Sequence, residues 1–135
     1  MKKLLVTGAS GFLGWHLCQL AKQQWDVYST YFFHQIEISG VSLLKVDLRD
    51  FQALKQLFQQ VQPSAVMHTA AQSSPNYCQT HPEESYEINV MTSLNIAGLC
   101  ADYDIPYIFT STDLVFNGLN PPYRETDPVS PVNAY

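Results

Sequence analysis

The spacing of hydrophobic residues changes several times along the chain, between short continuous runs and a helical period. Five short runs, "LLVT", "VYSTYF", "SLLKV", "SAVMH" and "YIFTS", carry almost no charge and are rich in β-branched, aromatic and aliphatic residues, which is typical of buried strands. The runs predict strands over residues 4–7, 27–32, 42–46, 64–68 and 107–111.

Between the predicted strands, apolar residues recur at helical spacing. From Phe12 to Ala21 they fall on one face and predict a helix over roughly 12–24. A second set runs from Phe51 to Val61, and that helix must end before Pro63.

A third, longer helix is predicted from a capping box. Thr80 stands three residues before Glu83, with Pro82 in the first turn, and this pattern is typical of a helix start. The helix should run to about Ala101. From Thr112 onward, glycine and prolines predict no regular structure.

Strands that alternate with helices indicate an α/β, doubly wound parallel sheet with right-handed crossovers. Five strands that begin at a glycine-rich turn favour the strand order 3-2-1-4-5 of a Rossmann-like fold. We treat residues 1–135 as a single domain. Because a complete fold of this kind has at least a sixth strand, we expect the domain to be truncated before its last strands.

The amino-acid composition indicates which classes of protein and partner to expect. Hydrophobic residues make up 46% of the 135 positions and charged residues 14%, which favours a packed core over disorder. The net charge of −5 gives no reason to expect nucleic acid or an anionic membrane as a partner.

No stretch of the sequence is long and apolar enough to span a bilayer, and the apolar run at residues 4–6 is too short for a signal peptide. Three cysteines without metal-like spacing predict buried, reduced thiols, no metal site and a cytoplasmic protein.

The segment "TGASGFLG" carries the candidate chemistry. Gly8 permits a tight turn after the first strand, Gly11 lets a pyrophosphate approach the backbone, and Gly14 lets the helix pack closely on the sheet. A turn that merely needs small residues is the structural alternative. The position of the glycines directly after an apolar strand favours a dinucleotide site.

These glycines match T-G-x-x-G-x-x-G, and the sequence resembles the extended short-chain dehydrogenase/reductase family. The segments "VDLRD", "HTAA" and "INVMTSLN" continue the resemblance in register. It implies that an NAD(P)-binding domain contacts its cofactor through Gly8, Ser10, Gly11, Phe12, Leu13, Gly14, Asp47, Leu48, Ala70 and Ala71. By the same resemblance Asp47 would bond the adenine amino group, and Leu48 would flank the ring. Asp47 could instead cap a helix near Asp50, and His68 could be a core histidine.

The identity of the dinucleotide depends on the second strand. The acid that would hold the ribose 2′-hydroxyl is missing from residues 28–32. No arginine lies there to bind a 2′-phosphate, and His34 is the nearest candidate. The absence of the acid gives NADP(H) a slight preference over NAD(H).

The resemblance also implies catalytic residues. In the family's reductases a threonine, here Thr112, bonds the substrate carbonyl, and a tyrosine, here Tyr135, supplies the proton. Asn89 would be the active-site asparagine, although it could instead be a buried amide that bridges helix and loop. The family's lysine four residues after the tyrosine, and its substrate-binding domain, lie beyond these residues. We therefore expect weak dinucleotide binding and no turnover from the 135-residue chain.

The segment "YIFTSTDLVFNG" is similar to two branches of the family. One is the dTDP-4-dehydrorhamnose reductases, which reduce a nucleotide-activated 4-keto sugar; the other is the regulatory β subunits of methionine adenosyltransferase. Dehydratases have Asp-Glu where Asp113 and Leu114 stand, whereas an epimerase remains open. The loop "AAQSSPNYCQTHPE" departs from the acidic reductase pattern, which leaves the sugar nucleotide open. A homodimer also remains open, because the family's metal-assisted dimer contact lies outside these residues.

Overall fold

The computed structural model describes residues 1–135, in which five strands alternate with helices along the chain. The order is β1 (Lys3–Thr7), α1 (Phe12–Ala21), β2 (Asp26–Tyr31), β3 (Val41–Lys45), α2 (Phe51–Val61), β4 (Ala65–His68), α3 (Pro75–Thr80), α4 (Pro82–Tyr86), a π-helical segment (Glu87–Met91), α5 (Thr92–Asp102), β5 (Tyr107–Phe109) and a 3₁₀ turn (Asp113–Val115).

The five strands form one sheet with the order β3-β2-β1-β4-β5, and every neighbouring pair is parallel. This confirms the predicted doubly wound, Rossmann-like sheet. At the carboxyl end of the central strand, Thr7 pairs with Thr30 on one side and with His68 on the other. From β1 the sheet first extends to one side through β2 and β3, and the chain then crosses to the other side to form β4 and β5. A crevice therefore opens beyond the carboxyl end of β1, where α/β folds bind ligands.

Two apolar layers cover the faces of the sheet. Leu5 of β1 packs with α2 and α5 in one cluster, while Leu4 and Val6 pack with Cys18 of α1 in the other. Leu5 and Val6 are completely buried, as expected for a central parallel strand enclosed on both sides. Burying each such aliphatic side chain stabilises the fold by about 1.5–3 kcal/mol.

Helix α2 has a defined start and end. The carboxylate of Asp50 accepts hydrogen bonds from the N–H groups of Gln52 (2.8 Å) and Ala53 (3.2 Å), so Asp50 caps the helix. Gln62 ends the helix in a left-handed conformation, with φ of 52°, immediately before Pro63. The alternative in which Asp47 caps this helix is wrong, because Asp50 does so.

The predicted capping box at Thr80 is also wrong. Thr80 is the last residue of α3, and its hydroxyl donates to the carbonyl oxygens of Asn76 and Tyr77, both at 3.1 Å. Thr80 therefore belongs to the preceding helix, and His81 rather than Thr80 occupies the N-cap position of the next one. His81 stands at the start of α4 and makes no side-chain cap.

The predicted long helix is present from Pro82 to Asp102, but it contains a π-helical segment at Glu87–Met91. Such segments widen one turn and are frequent at functional sites. Asn89 lies in the middle of this segment. The backbone N–H of Thr92 donates to the carbonyl of Glu87, five residues earlier, and the Thr92 hydroxyl donates to the same carbonyl at 3.0 Å.

Strands β1 to β4 agree with the prediction to within one residue at each end, and larger differences occur at three places. Helix α1 ends at Ala21, because the Ala21 carbonyl accepts from the N–H groups of both Gln24 and Trp25 (2.9 Å each) and closes a turn. Strand β5 ends at Phe109. The segment after Thr112, where no regular structure was expected, begins with the 3₁₀ turn.

The three cysteines are buried, as the sequence predicts. All three are free, and burial raises the pKa of the Cys100 thiol to about 11. None of the helices combines the length and apolar character that crossing a bilayer requires.

Candidate functional site

The turn between β1 and α1 is built on Gly8. Its φ of +82° lies in the left-handed region, which glycine adopts without steric strain. A Cβ atom there would also lie 2.9 Å from the backbone of Ala70. The N–H groups of Gly8 and Ala9 donate to the Thr30 carbonyl at 3.2 and 2.9 Å, so the turn is fixed to β2.

The next two glycines serve different purposes. Gly14 is buried, and a Cβ atom would lie 2.2 Å from the Gly8 carbonyl oxygen and 2.9 Å from Thr69 Oγ1. Gly14 is therefore required for the contact between α1 and the turn. At Gly11 a Cβ atom would meet only the Gly8 oxygen, at an ordinary 3.4 Å. The protein's own packing does not explain glycine at position 11, whereas close approach of a ligand would.

The first turn of α1 presents backbone N–H groups without competing acids. Gly11 is the N-cap, it has no side chain to satisfy those groups, and no acidic residue occupies the first turn. Phe12 is 84% exposed, and neither it nor Leu13 lines the adjacent cavity. These two predicted cofactor residues, like Gly14, are therefore not among the residues that line the cavity.

A cavity of about 320 Å³ opens along the carboxyl edge of the sheet. It brings together the following predicted cofactor residues: Gly8, Ser10, Gly11, Asp47, Leu48, Ala70 and Ala71. Its remaining walls come from the ends of β2, β3 and β4 and from the long helix: Thr30, Tyr31, Phe32, Phe33, Val46, Arg49, Thr69, Gln72, Glu84, Ile88 and Thr92. His34, the cation considered from sequence, is not among the lining residues.

One end of the cavity carries an ion pair that the sequence analysis missed. Arg49 donates from Nε and from its NH2 nitrogen to the two carboxylate oxygens of Asp47, at 2.9 and 2.7 Å. These hydrogen bonds lower the pKa of Asp47. The guanidinium lies 5.4 Å from the ring centroid of Phe32, at the end of β2. Arg49 is in the motif "VDLRD", but only the fold shows that it reaches the neighbouring strand.

A buried hydrogen-bond network connects the turn to the long helix. Thr7 Oγ1 accepts from the N–H groups of Thr69 (3.1 Å) and Ala70 (3.2 Å), so its single proton points to His68 Nδ1 at 2.6 Å. The proton of the imidazole is therefore on Nε2, which donates to Ser93 Oγ at 3.1 Å. The Ser93 hydroxyl in turn donates to the Asn89 carbonyl at 2.6 Å.

His68 is neutral in this network. It is 1% exposed, and burial lowers its pKa from 6.5 to about 4. The rings of Tyr107 and Phe109 lie near it, with centroids at 6.3 and 6.0 Å. His68 is thus a buried core histidine, as the sequence allowed.

The side chain of Asn89 bridges the π-helical segment to the loop after β4. Its Oδ1 accepts from the Gln72 N–H at 2.8 Å, and its Nδ2 donates to the Gln72 carbonyl at 3.0 Å. The amide therefore fixes the loop that follows Ala71, as the structural alternative supposed. Gln72 lines the cavity but Asn89 does not.

The two other predicted catalytic residues lie outside the cavity lining. Thr112 Oγ1 accepts from the Leu114 N–H at 3.2 Å and starts the 3₁₀ turn. The backbone N–H of Tyr135 donates to Asn133 Oδ1 at 3.0 Å, and the Ala134 N–H donates to Gln79 Oε1 at 3.1 Å. The bond from Ala134 attaches the C-terminal segment to α3, and no hydrogen bond joins Thr112 to Tyr135.

Comparison with known proteins agrees with this geometry. The chain is 33% identical over 135 residues to methionine adenosyltransferase 2 subunit beta of Bos taurus, covering 99% of this chain and 39% of that protein. It matches the crystal structure of a hypothetical dTDP-4-dehydrorhamnose reductase from Sulfolobus tokodaii with a TM-score of 0.90 and 32% identity, covering 100% of this chain and 48% of that one.

A UDP-glucose 4-epimerase of Thermus thermophilus in complex with NAD also matches, with a TM-score of 0.87 and 27% identity, covering 98% of this chain and 46% of that one. The chain thus spans less than half the length of these relatives. The family model described as the RmlD substrate binding domain matches residues 1–135. By this match over its whole length, the chain belongs to the RmlD substrate-binding-domain family, within the superfamily of NAD-dependent epimerases and reductases.

Proposed function

We propose that residues 1–135 form the cofactor-binding part of an NAD(P)H-dependent reductase that acts on a nucleotide-activated 4-keto sugar. The observation that carries the proposal is the free space beside Gly11. This glycine lines the cavity, and a side chain there would meet nothing of the protein closer than 3.4 Å. Glycine at that position fits a phosphate that approaches the backbone at the start of α1.

The residues present fit a dinucleotide along the whole cavity. Backbone N–H groups at the start of α1 would hold the pyrophosphate, in keeping with a chain whose net charge is −5. Asp47 has a carboxylate oxygen that accepts only one hydrogen bond, from Arg49, and it would accept a further one from the adenine amino group. Ala70 and Ala71 would line the path toward the nicotinamide. When bound, the reduced nicotinamide would supply the hydride for the carbonyl carbon.

The catalytic roles follow from the same proposal. Tyr135 would give its phenolic proton to the carbonyl oxygen as that oxygen gains charge, and Thr112 would donate a hydrogen bond to it. A phenol with a pKa near 10 requires an adjacent cation to act at neutral pH. Asn89 would contribute by holding the loop at Gln72, since its amide is already engaged there.

The first test is dinucleotide binding by Gly11→Ala. Gly11 has φ −86° and ψ 162°, a conformation that alanine adopts freely, so the fold should be kept. We expect the affinity for NADPH to fall by at least about tenfold, because the methyl group occupies the space of the phosphate. Isothermal titration calorimetry measures the affinity, and Gly98→Ala, on the exposed face of α5, is the matched control. Unchanged affinity in Gly11→Ala would contradict the proposal.

A regulatory subunit without turnover is the second candidate, favoured by the 33% identity to methionine adenosyltransferase 2 subunit beta. The whole protein distinguishes the two. Consumption of NADPH with a dTDP-4-keto sugar would establish the reductase. A stable complex with a methionine adenosyltransferase, without NADPH consumption, would favour the regulatory subunit. Interconversion of sugar epimers without net NADPH consumption would indicate an epimerase.

A further inference from the structure

The structure points to Arg49 as the residue that selects the cofactor: we propose that its guanidinium binds the 2′-phosphate of an adenosine ribose and so favours NADP(H). This inference rests on the proposed dinucleotide site and assigns a specificity-determining residue within it. It replaces His34, which does not line the cavity.

The first support is position. In a doubly wound fold the adenosine ribose lies beyond the end of β2, about 20 residues after the first glycine of the turn. Phe32 follows β2 directly, and the Arg49 guanidinium lies 5.4 Å from its ring centroid. Arg49 is far from this position in sequence, yet the fold brings its side chain there. It is the only cationic side chain among the residues that line the cavity.

The second support is unused hydrogen-bonding capacity. A guanidinium has five N–H donors, of which the Asp47 carboxylate takes one from Nε and one from the NH2 nitrogen. The NH1 nitrogen lies 3.8 Å from Glu84 Oε1, beyond hydrogen-bond distance. Three N–H groups therefore remain for a ligand. The side chain is 34% exposed, so a phosphate can reach these donors without displacing the core.

The third support is charge. The end of β2 carries no acid that would hold a 2′-hydroxyl and repel a phosphate. Asp47 fixes the guanidinium in place from one side, because a bidentate pair restrains its rotation. Glu84 would disfavour the 2′-phosphate, because its carboxylate faces the NH1 nitrogen and would repel an incoming phosphate. Arg49 should therefore increase the preference for NADP(H) over NAD(H), and Glu84 should decrease it.

The test is the ratio of NADPH to NADH affinity, measured by calorimetry on this chain and on three variants. Arg49→Gln should lower the ratio by about tenfold, as expected for loss of charge-assisted hydrogen bonds at a partly exposed site. Glu84→Gln should raise the ratio, and it keeps an amide oxygen that can accept from the Tyr77 hydroxyl, which now donates to Glu84 at 2.7 Å. Lys2→Gln removes the same charge at the opposite edge of the sheet and should leave the ratio unchanged.

The outcomes test the role of Arg49 separately from the proposed dinucleotide site. A lower ratio in Arg49→Gln with an unchanged ratio in Lys2→Gln supports the assignment. Binding of both dinucleotides at an unaltered ratio in Arg49→Gln overturns the role of Arg49 while leaving the cofactor site intact. Failure of the unaltered chain to bind either dinucleotide overturns the proposed function, and this inference with it.

Discussion

The buried neutral imidazole of His68 makes the stability of this fold depend on pH. Burial lowers its pKa to about 4 in the folded protein, whereas the unfolded chain has the ordinary value of about 6.5. Between these values the unfolded state binds more protons than the folded state. The stabilisation is therefore complete above pH 6.5 and is lost as the pH falls toward 4.

The magnitude follows from the shift of about 2.5 pKa units. Linkage gives a loss of about 2 kcal/mol between pH 7 and pH 5, and about 3 kcal/mol once both states are protonated. The titratable neighbour Tyr107 stays neutral throughout, since burial raises its pKa to about 12. Asp47 contributes only at lower pH, because its pKa is held below 3.8.

Two measurements test this reasoning. Urea unfolding from pH 7 to pH 4.5 gives the free energy of unfolding, and NMR of the histidine ring protons gives the titration of His68 directly. The other three histidines are exposed, and the spectrum of His68→Gln identifies the resonance that belongs to position 68. A His68 resonance in the folded protein with a midpoint near 6.5 would refute the argument. His68→Gln, if it folds, should show a shallower dependence of stability on pH than the unaltered protein.

Two further predictions concern local structure. Gly14→Ala places a methyl group 2.2 Å from a turn carbonyl oxygen and should lower stability by at least about 2 kcal/mol. Gly98→Ala, with no atom within 4 Å of the new methyl, should raise stability by about 1 kcal/mol; thermal unfolding of both variants checks the contrast, and equal effects would contradict it. Asp50→Ala removes the cap of α2 and should lower stability by about 1 kcal/mol, measured by urea unfolding. Asp50→Asn should keep most of the stability, and a loss as large as that of alanine would argue against capping.

The sheet could be predicted from sequence because each strand is signalled locally. Buried parallel strands are short apolar runs, four of the five lie next to a glycine or a proline, and the glycine turn at residue 8 indicates the central strand. The strand order was predicted from this turn, because it is typical of a doubly wound fold, and right-handed crossovers agree with that order. The same local signals explain why the residues of the glycine turn, Asp47 and the alanines after β4 were found at one edge.

The failures have physical causes of their own. Thr80 was predicted to start a helix but is the last residue of α3, where its hydroxyl bonds to the preceding turn, and sequence spacing does not distinguish these two positions. No residue pattern signals the π-helical segment around Asn89, because its widened turn is closed by a backbone hydrogen bond from the Thr92 N–H to the Glu87 carbonyl, which any residues could form. Arg49 was missed because only residues near 28–32 were considered for the ribose, whereas its side chain arrives from the adjacent strand.

The cavity divides into two halves with different electrostatics, and under the proposed function each half would have its own part in dinucleotide binding. At the β1–α1 turn no cation lines the wall, so affinity for a pyrophosphate would come from backbone amides whose position depends on Gly8 and Gly14. At the β2 end Arg49 provides a full positive charge, but Asp47 and Glu84 offset it locally. Amide binding gives affinity for either dinucleotide, whereas a single charge beside the ribose gives preference between them. Gly11→Ala should therefore weaken both NADPH and NADH, while Arg49→Gln changes mainly their ratio.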